Sequence, residues 1–496
     1  MIDTGWGQIP VVEPRSGEII GIVTRTDLIR TLAPAPLLPG VENLAVQLET
    51  ALPPARRALI RAVAAEAGRQ QAALYLVGGF VRDLLLGQPG LDFDLVVEGD
   101  AIKLARSLAV KLGGRVTSHA RFGTAKWHIG EAAAVVQGLE RAAPGGPSEP
   151  LTPEDLPATL DLVTARTEFY THPTALPTVE RGSIKLDLHR RDFTINTLAV
   201  RLEGAHYGEL YDYWGGLADL RNGEVRVLHS LSFVDDPTRM LRAVRFEGRF
   251  QFKISTRTLE LLEDARPLLA KVSGDRLRHE LDSILMEEQA SLMLARLDEL
   301  ALLDAIHPSL QGDEWLYRKI KDLPHEPPAS EWGIDDGLRS TPWRLALAYI
   351  LWLLRQDPAS VESAARRLKL RASLADACLE ASQLRPDLPD LVSRPPSRIV
   401  QRLDGVPRLA LYANRLAADD RLVRSVLDDY AARWRKISPR TTGDDLRERG
   451  LPPGPAYRSI LRELRAAWLD GVIETEEQER QMLDELIADR STDETR

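Results

Sequence analysis

The chain has 496 residues, 44% hydrophobic, 28% charged and 6% aromatic; at roughly 150 residues per domain that is about three domains, with a composition that excludes a mainly disordered or collagen-like protein. Its net charge of −9 excludes a protein that coats nucleic acid through an overall basic excess, so any nucleic-acid contact must be local. The single cysteine, Cys378, excludes an internal disulfide or a cysteine-based zinc site and fits a reducing cytosol; no apolar run reaches the roughly 18 residues of a membrane span, and the start Met1-Ile2-Asp3 lacks the basic and apolar regions of a secretory signal. The expectation is a cytoplasmic protein without membrane contact.

Residues 9–32 read as strand, turn, strand and helix: Ile9–Val12, a turn at Arg15-Ser16-Gly17-Glu18, Ile19–Val23, then a helix capped by Thr26 or Asp27. The string Gly17-Glu18-Ile19-Ile20-Gly21-Ile22-Val23-Thr24-Arg25-Thr26-Asp27-Leu28 resembles the closing part of a CBS repeat, a module that usually pairs to bind adenine nucleotides. Only part of one repeat is present, so its apolar strands are expected to pack on the α/β domain that follows or on a second copy of the chain, as in a homodimer. The Pro-rich stretch Ala33–Gly40 reads as a linker. From about 41 to 205, helix-period segments alternate with short apolar strands such as Leu74–Val77, Leu95–Val97 and Leu160–Val163, the pattern of an α/β domain. Ala142–Pro150, rich in Pro and Gly, reads as a surface loop inside it. Beyond about 235 helical periodicity takes over, with breaks at Leu323–Pro328 and Arg394–Pro396, which predicts an all-α C-terminal half.

The residues that carry chemistry begin at Leu76-Val77-Gly78-Gly79-Phe80-Val81-Arg82-Asp83, followed by Leu91-Asp92-Phe93-Asp94-Leu95. A strand ends at Gly78 and Gly79 and a helix begins, so backbone N–H groups can face a phosphate, with Arg82 adding charge. In an extended strand Asp92 and Asp94 project on one face while Phe93 and Leu95 face the other. Two neighbouring carboxylates repel, and a divalent cation such as Mg²⁺, which retains waters and binds substrate phosphates, is the usual reason to keep them. Asp161, between Leu160 and Leu162, is either a third carboxylate near the metals or a buried partner for Arg166. Gly113-Gly114-Arg115 and His119–Thr124 read as a turn and strand beside the site.

The string Gly-Gly-x-Val-Arg-Asp-x-x-x-Gly with Asp-x-Asp after it resembles the signature of the class II tRNA nucleotidyltransferase and bacterial poly(A) polymerase family, within the polymerase-β-like nucleotidyltransferases. Further segments match in order: Arg190-Arg191-Asp192 with Asn196, Asp212 through Leu220, and Asp235-Asp236-Pro237-Thr238-Arg239. The resemblance implies an α/β nucleotidyltransferase head with a mixed sheet and an all-α C-terminal half. The chain divides on this basis into a partial CBS-like segment (1–32), a linker (33–45), a head (46–205), a neck with the base-recognition helix (206–290), a helical body (291–400) and a tRNA-binding tail (401–496).

It also implies roles. Asp92 and Asp94 would be catalytic and hold Mg²⁺; Gly78, Gly79, Arg82, Arg191, Asp192 and Asn196 would bind the nucleotide. Asp236 and Arg239, spaced i, i+3 at a helix start, would read the base, since a carboxylate accepts from the exocyclic amine of C or A and a guanidinium donates to ring N or carbonyl O. Arg242 and Arg245 continue that face, and a stripe of arginines calls for something anionic to neutralise it; the resemblance assigns them to the nucleotide as well. The implied activity is transfer of CMP or AMP from CTP or ATP to the tRNA 3′ end with release of pyrophosphate, with poly(A) polymerase as the runner-up and a silent RNA-binding or adenylate-sensing protein as the alternative of another class. CCA-adding relatives carry a basic loop between their Asp-x-Asp and Arg-Arg-Asp motifs, whereas Phe169–Glu180 contains neither Lys nor Arg. That departure points toward relatives that add only CC or only A, and the CBS-like start leans to the A-adding side.

Overall fold

The computed structural model describes residues 8–14, 16, 17, 19–24, 42–88, 90, 93–142, 149–169, 178–334, 338 and 341–493. Asp92, the helix expected at 26–30, residues 33–41 of the linker, and most of the loops expected at 142–150 and 169–180 lie outside these residues, while the last part of the linker is described and ends in the first helix at Ala45. The chain forms two compact units, 1–235 with 253–258, and 236–252 with 259–496, where length alone suggests three. The limit expected at 205/206 falls inside the first unit, because the strands on either side of it belong to one sheet.

The first unit opens with β1 (Gln8–Val12) and β2 (Ile19–Thr24), an antiparallel hairpin, matching the two strands expected there. Two helices follow, α1 (Ala45–Ala51) and α2 (Pro54–Arg69), the second started by proline at its first position, where the missing N–H costs nothing. Then come β3 (Ala73–Val77), α3 (Gly79–Leu85), β4 (Asp94–Glu98), α4 (Ala101–Leu112), β5 (Arg115–His119), β6 (Thr124–His128), α5 (Ala132–Ala142) and β7 (Thr159–Thr164). The unit continues with β8 (Arg166–Phe169), β9 (Thr178–Arg181), α6 (Ile184–His189), β10 (Ala199–Arg201), β11 (Leu210–Tyr211), α7 (Gly216–Asn222) and β12 (Glu224–Val225).

Seven strands form one sheet in the order β11-β10-β3-β4-β7-β6-β5. Only β4 and β7 run parallel; the other neighbours are antiparallel, which makes the sheet mixed as expected. Alternation in β7 buries Leu160 and Leu162 and leaves Asp161 half-buried. The other strand face carries Tyr75, Val77 and Val96, which pack with Ile184 and Leu188 of α6. The Gly113-Gly114 turn does have a structural role. Gly114 has φ +87°, and a Cβ there would lie 2.3 Å from the His128 carbonyl oxygen and 2.7 Å from Trp127 Nε1, so only glycine lets β5 fold back so closely onto β6.

α2 and α4 are joined by a carboxylate. Glu66 on α2 is buried and accepts hydrogen bonds from Ser107 and Lys111 on α4 and from Arg69 and Gln70. Burial alone would raise its pKa, but these donors outweigh it and hold it at about 2, against 4.5 ordinarily. A carboxylate with a depressed folded pKa stabilises the fold above its unfolded pKa and loses that contribution as pH falls toward the folded value. Glu66→Gln is therefore expected to lower stability near neutral pH by about 1–3 kcal/mol. The difference from the parent should shrink as pH falls from about 4.5 toward 2, which denaturant midpoints across that range will measure.

The second unit is helical, as expected. Among the described residues beyond 235, the departures from the anticipated all-α half are β13 (Lys253–Ile254), which belongs to the first unit and pairs in parallel with β12, and an antiparallel bridge between Leu338 and Thr341. The helix Trp343–Leu353 buries every residue from Leu345 to Leu353. Apolar all round yet only 11 residues long, it is a core helix; among the described residues no helix is long and apolar enough to cross a membrane. A smaller core lies nearer the C-terminus, where Leu446, Ile460, Leu464 and Leu483 meet.

Candidate active site

The site is built where β3 ends. Val77 pairs with Asp94 across the antiparallel β3–β4 ladder, which puts the Asp94 carboxylate, exposed at the first position of β4, beside the turn at Gly78. In the parallel β4–β7 ladder Leu95 pairs with Leu162. One step back along both strands sets Asp94 level with Asp161 on the same sheet face.

Asp161 thus has the position of a third carboxylate. The alternative, a buried partner for Arg166, does not hold: Asp161 is half-exposed and pairs with Lys126 on β6 at 3.2 Å, while Arg166 Nη1 donates to the Phe122 carbonyl. Phe93 is buried as expected, edge-on to Phe80. Among the described residues no three metal-ligating side chains gather. Asp94 and Asp161 supply two carboxylates, hard oxygen donors of the kind Mg²⁺ takes.

Gly78 has φ +68°, a conformation that favours glycine. It is also crowded: a Cβ would lie 2.7 Å from Arg191 Nη1. Arg191 and Arg190 are both held by Asp187 on α6, at 3.2 and 2.8 Å. That carboxylate is completely buried and also accepts from the Arg166 backbone N–H. The Nε of Arg191, like that of Arg245, is buried without a hydrogen-bond partner among the described residues.

Arg82 lies on α3 beside this turn. It is 5% exposed, and it donates from Nη1 to Asn196 Oδ1 at 2.7 Å and from Nε to Asp83 at 2.8 Å. Asn196 in turn donates to Asp192, which also accepts from the Phe193 N–H. Arg82 therefore braces the glycine turn against the Arg-Arg-Asp segment. Gly79 opens α3, and a Cβ there would make only ordinary contact with Arg82.

The two residues expected to read the base, Asp236 and Arg239, belong to the second unit. The helix α8 (Ser232–Asp235) ends the first unit and α9 begins only at Arg239 (Arg239–Phe250), so Asp236 precedes the helix that sequence spacing assigned it to. Its carboxylate accepts from the Thr238 N–H and hydroxyl and from Arg276 Nη2 at 2.6 Å. Arg239 is buried at the helix start.

The arginine stripe is real, but protein carboxylates neutralise it. Arg242 meets Glu280 of α10 (Gly274–Leu285) at 2.5 Å, and Arg245 lies 3.9 Å from both Glu280 and Glu287. Burial pushes the Arg245 guanidinium pKa down. Carboxylates of α10 and of Glu287 just beyond it thus lie beside these two arginines.

Sequence reading missed Asp187, Arg276, Glu280 and Glu287. The i, i+3 and i, i+4 spacing of Asp187 to Arg190 and Arg191 was a visible signal; the other three meet their partners only through tertiary packing.

Comparison with known proteins fits this architecture. The poly A polymerase head domain matches residues 74–143 and 149–226, the probable RNA- and SrmB-binding site of polymerase A matches 251–313, and a CBS domain matches 1–34. An A-adding tRNA nucleotidyltransferase of Halalkalibacterium halodurans is 33% identical over 84% of this chain and 90% of its own length. The chain belongs to the tRNA nucleotidyltransferase family. An A-adding tRNA nucleotidyltransferase of Geobacter sulfurreducens is 35% identical over 94% of this chain, which spans about half (52%) of that relative's length. The solved Thermotoga maritima CCA-adding enzyme complexed with tRNA superposes with a TM-score of 0.67 at 29% identity, covering 90% of this chain and 98% of the other.

Proposed function

We propose that this chain transfers AMP from ATP to the 3′ end of tRNA that already ends in CC. In that reaction the RNA 3′-oxygen bonds to the α-phosphorus as the bond to the β-phosphate oxygen breaks and pyrophosphate leaves. The observation that carries the reading is the corner where Asp94, the positive-φ Gly78 turn and Arg191 come together. The choice of AMP rests on the A-adding names of the two relatives matched over most of this chain and on the lack of basic residues in 169–180.

In this reading Asp94, with Asp92 and Asp161, would hold Mg²⁺, which when bound would lower the pKa of the attacking hydroxyl and neutralise the leaving group. The chain's own residues do the positioning. Asp187 fixes Arg190 and Arg191, and the Arg82–Asn196–Asp192 chain fixes the turn, so that donors for the phosphates and ribose are in place before the nucleotide arrives. Asp236, oriented by Arg276 and Thr238, accepts from the adenine amine while Arg239 donates to the ring.

The deciding assay incubates tRNAs ending at the discriminator base, at C and at CC with each labelled nucleotide triphosphate. A single A added only to the CC end is expected. Addition of C would assign the CC-adding or full CCA reaction, and runs of A would assign a poly(A) polymerase. Asp236→Ala is expected to relax the preference for ATP over GTP and UTP, since loss of one partner costs about 1–3 kcal/mol of discrimination. An unchanged relative use of GTP and UTP would remove Asp236 from base reading.

A further inference from the structure

A cleft of about 500 Å³ lies in the first unit at the sheet end where β4 and β7 finish, the end opposite to Asp94 and Asp161. Its lining holds five cationic side chains, Lys103, Arg106, Arg121, Arg166 and Arg181, against two acids, Asp100 and Glu180. This local excess of positive charge stands out in a chain whose net charge is −9.

Several of the cations are held in place. Arg166 Nη1 donates to the Phe122 carbonyl at 3.0 Å, and the Phe122 ring carries the Arg121 and Arg166 guanidiniums at 5.6 and 6.0 Å. Asp100 is already committed, since it pairs with Arg181 at 3.1 Å and caps α4 through the Lys103 N–H. Lys103 and Arg106, one turn apart on α4, are exposed, and among the described residues neither has a carboxylate within 4.0 Å. Converging like charges are costly unless an anion enters.

We propose that this cleft binds the phosphate backbone of the tRNA, as a contact separate from the reacting end. The proposal rests on the reading of tRNA as substrate. Three features favour RNA backbone over the nucleotide being transferred. The five-residue strand β4 separates the cleft from Asp94 by about 13 Å, too far for the triphosphate of a nucleotide whose α-phosphate sits at Asp94. The lining offers charge but only one aromatic ring, already engaged by two arginines, and so no free platform for a base. Contacts of this kind position a nucleic acid without reading its sequence.

The test uses the full chain with Lys103→Glu and Arg106→Glu combined. These exposed side chains make no ion pair among the described residues, so the fold should be kept; an unchanged melting curve checks this, and Lys103→Gln with Arg106→Gln gives a milder second variant. Affinity for a labelled tRNA ending in CC is measured by fluorescence anisotropy across a salt series. The expected result is at least about a tenfold loss of affinity at low salt and a slope of log K against log salt reduced by about 1.4–1.8, the amount for two lost phosphate contacts. AMP transfer at saturating tRNA should persist. Unchanged tRNA affinity and slope would overturn the proposal, as would an effect confined to the KM for ATP, which would mark a nucleotide site instead. If the parent protein transfers nothing to any tRNA end, the functional reading has failed; if transfer is normal and only the binding prediction fails, this contact alone is wrong.

Discussion

Asp94→Ala is expected to lower AMP transfer by at least about a thousandfold, about 4 kcal/mol of transition-state stabilisation, while leaving the melting temperature nearly unchanged. The asymmetry follows from the position of the residue. Asp94 is exposed at the first position of β4, and the strand's burial comes from Leu95, Val96 and Val97, so alanine removes an oxygen donor without opening a cavity. If Mg²⁺ neutralises the reacting phosphates, loss of that donor weakens its site directly. Asp161 separates two readings of its own role. As a mere partner of half-exposed Lys126 it is worth about 0–1 kcal/mol of stability and nothing in catalysis, whereas as a third carboxylate Asp161→Asn should cut turnover with stability intact. Incorporation of labelled AMP into tRNA ending in CC, read beside thermal melts, checks both variants. Near-normal turnover in well-folded Asp94→Ala would sink the proposed chemistry.

Much of the head was legible because its signals are local. Leu74–Val77 and Leu95–Val97 are short apolar runs, and β3 and β4 form over them with one extra residue at one or both ends. Gly78 between strand and helix announced a turn, and the structure gives it the positive φ that such a turn requires. What sequence reasoning could not supply was the partner of each charge. Arg82 reads as a charge beside a glycine turn, and nothing local announces Asn196, 114 positions away, on its Nη1. The stripe of Arg242 and Arg245 calls for an anion, and composition cannot tell a nucleotide from Glu280 on a neighbouring helix. Helix starts have the same difficulty. Asp236 and Arg239 keep their spacing, but Pro237 and the Asp236–Thr238 hydrogen bonds delay the helix to Arg239, so the pair straddles its start where a continuous helical face was expected.

The largest structural effect is expected from Asp187→Ala. Asp187 is completely buried, and its two oxygens receive Arg190, Arg191 and the Arg166 backbone N–H. Removing the carboxylate leaves two largely buried guanidiniums without their counter-charge, a loss of about 3–5 kcal/mol for a broken buried pair, a large share of the roughly 5–15 kcal/mol that holds a typical domain. Asp187→Asn keeps the shape and some of the hydrogen bonds but not the charge, and should cost less. The two variants divide stability from function. In Asp187→Asn the fold survives but Arg191 is no longer pinned against Gly78, so the KM for ATP should rise more than kcat falls, the mark of a group that positions the phosphates and does not itself react. Denaturant titration of both variants, with ATP saturation curves for Asp187→Asn, provides the check. A stable Asp187→Ala protein with an unchanged KM would show that Arg190 and Arg191 hold their places without the buried carboxylate and that the Arg-Arg-Asp segment is organised by the Arg82–Asn196–Asp192 chain alone.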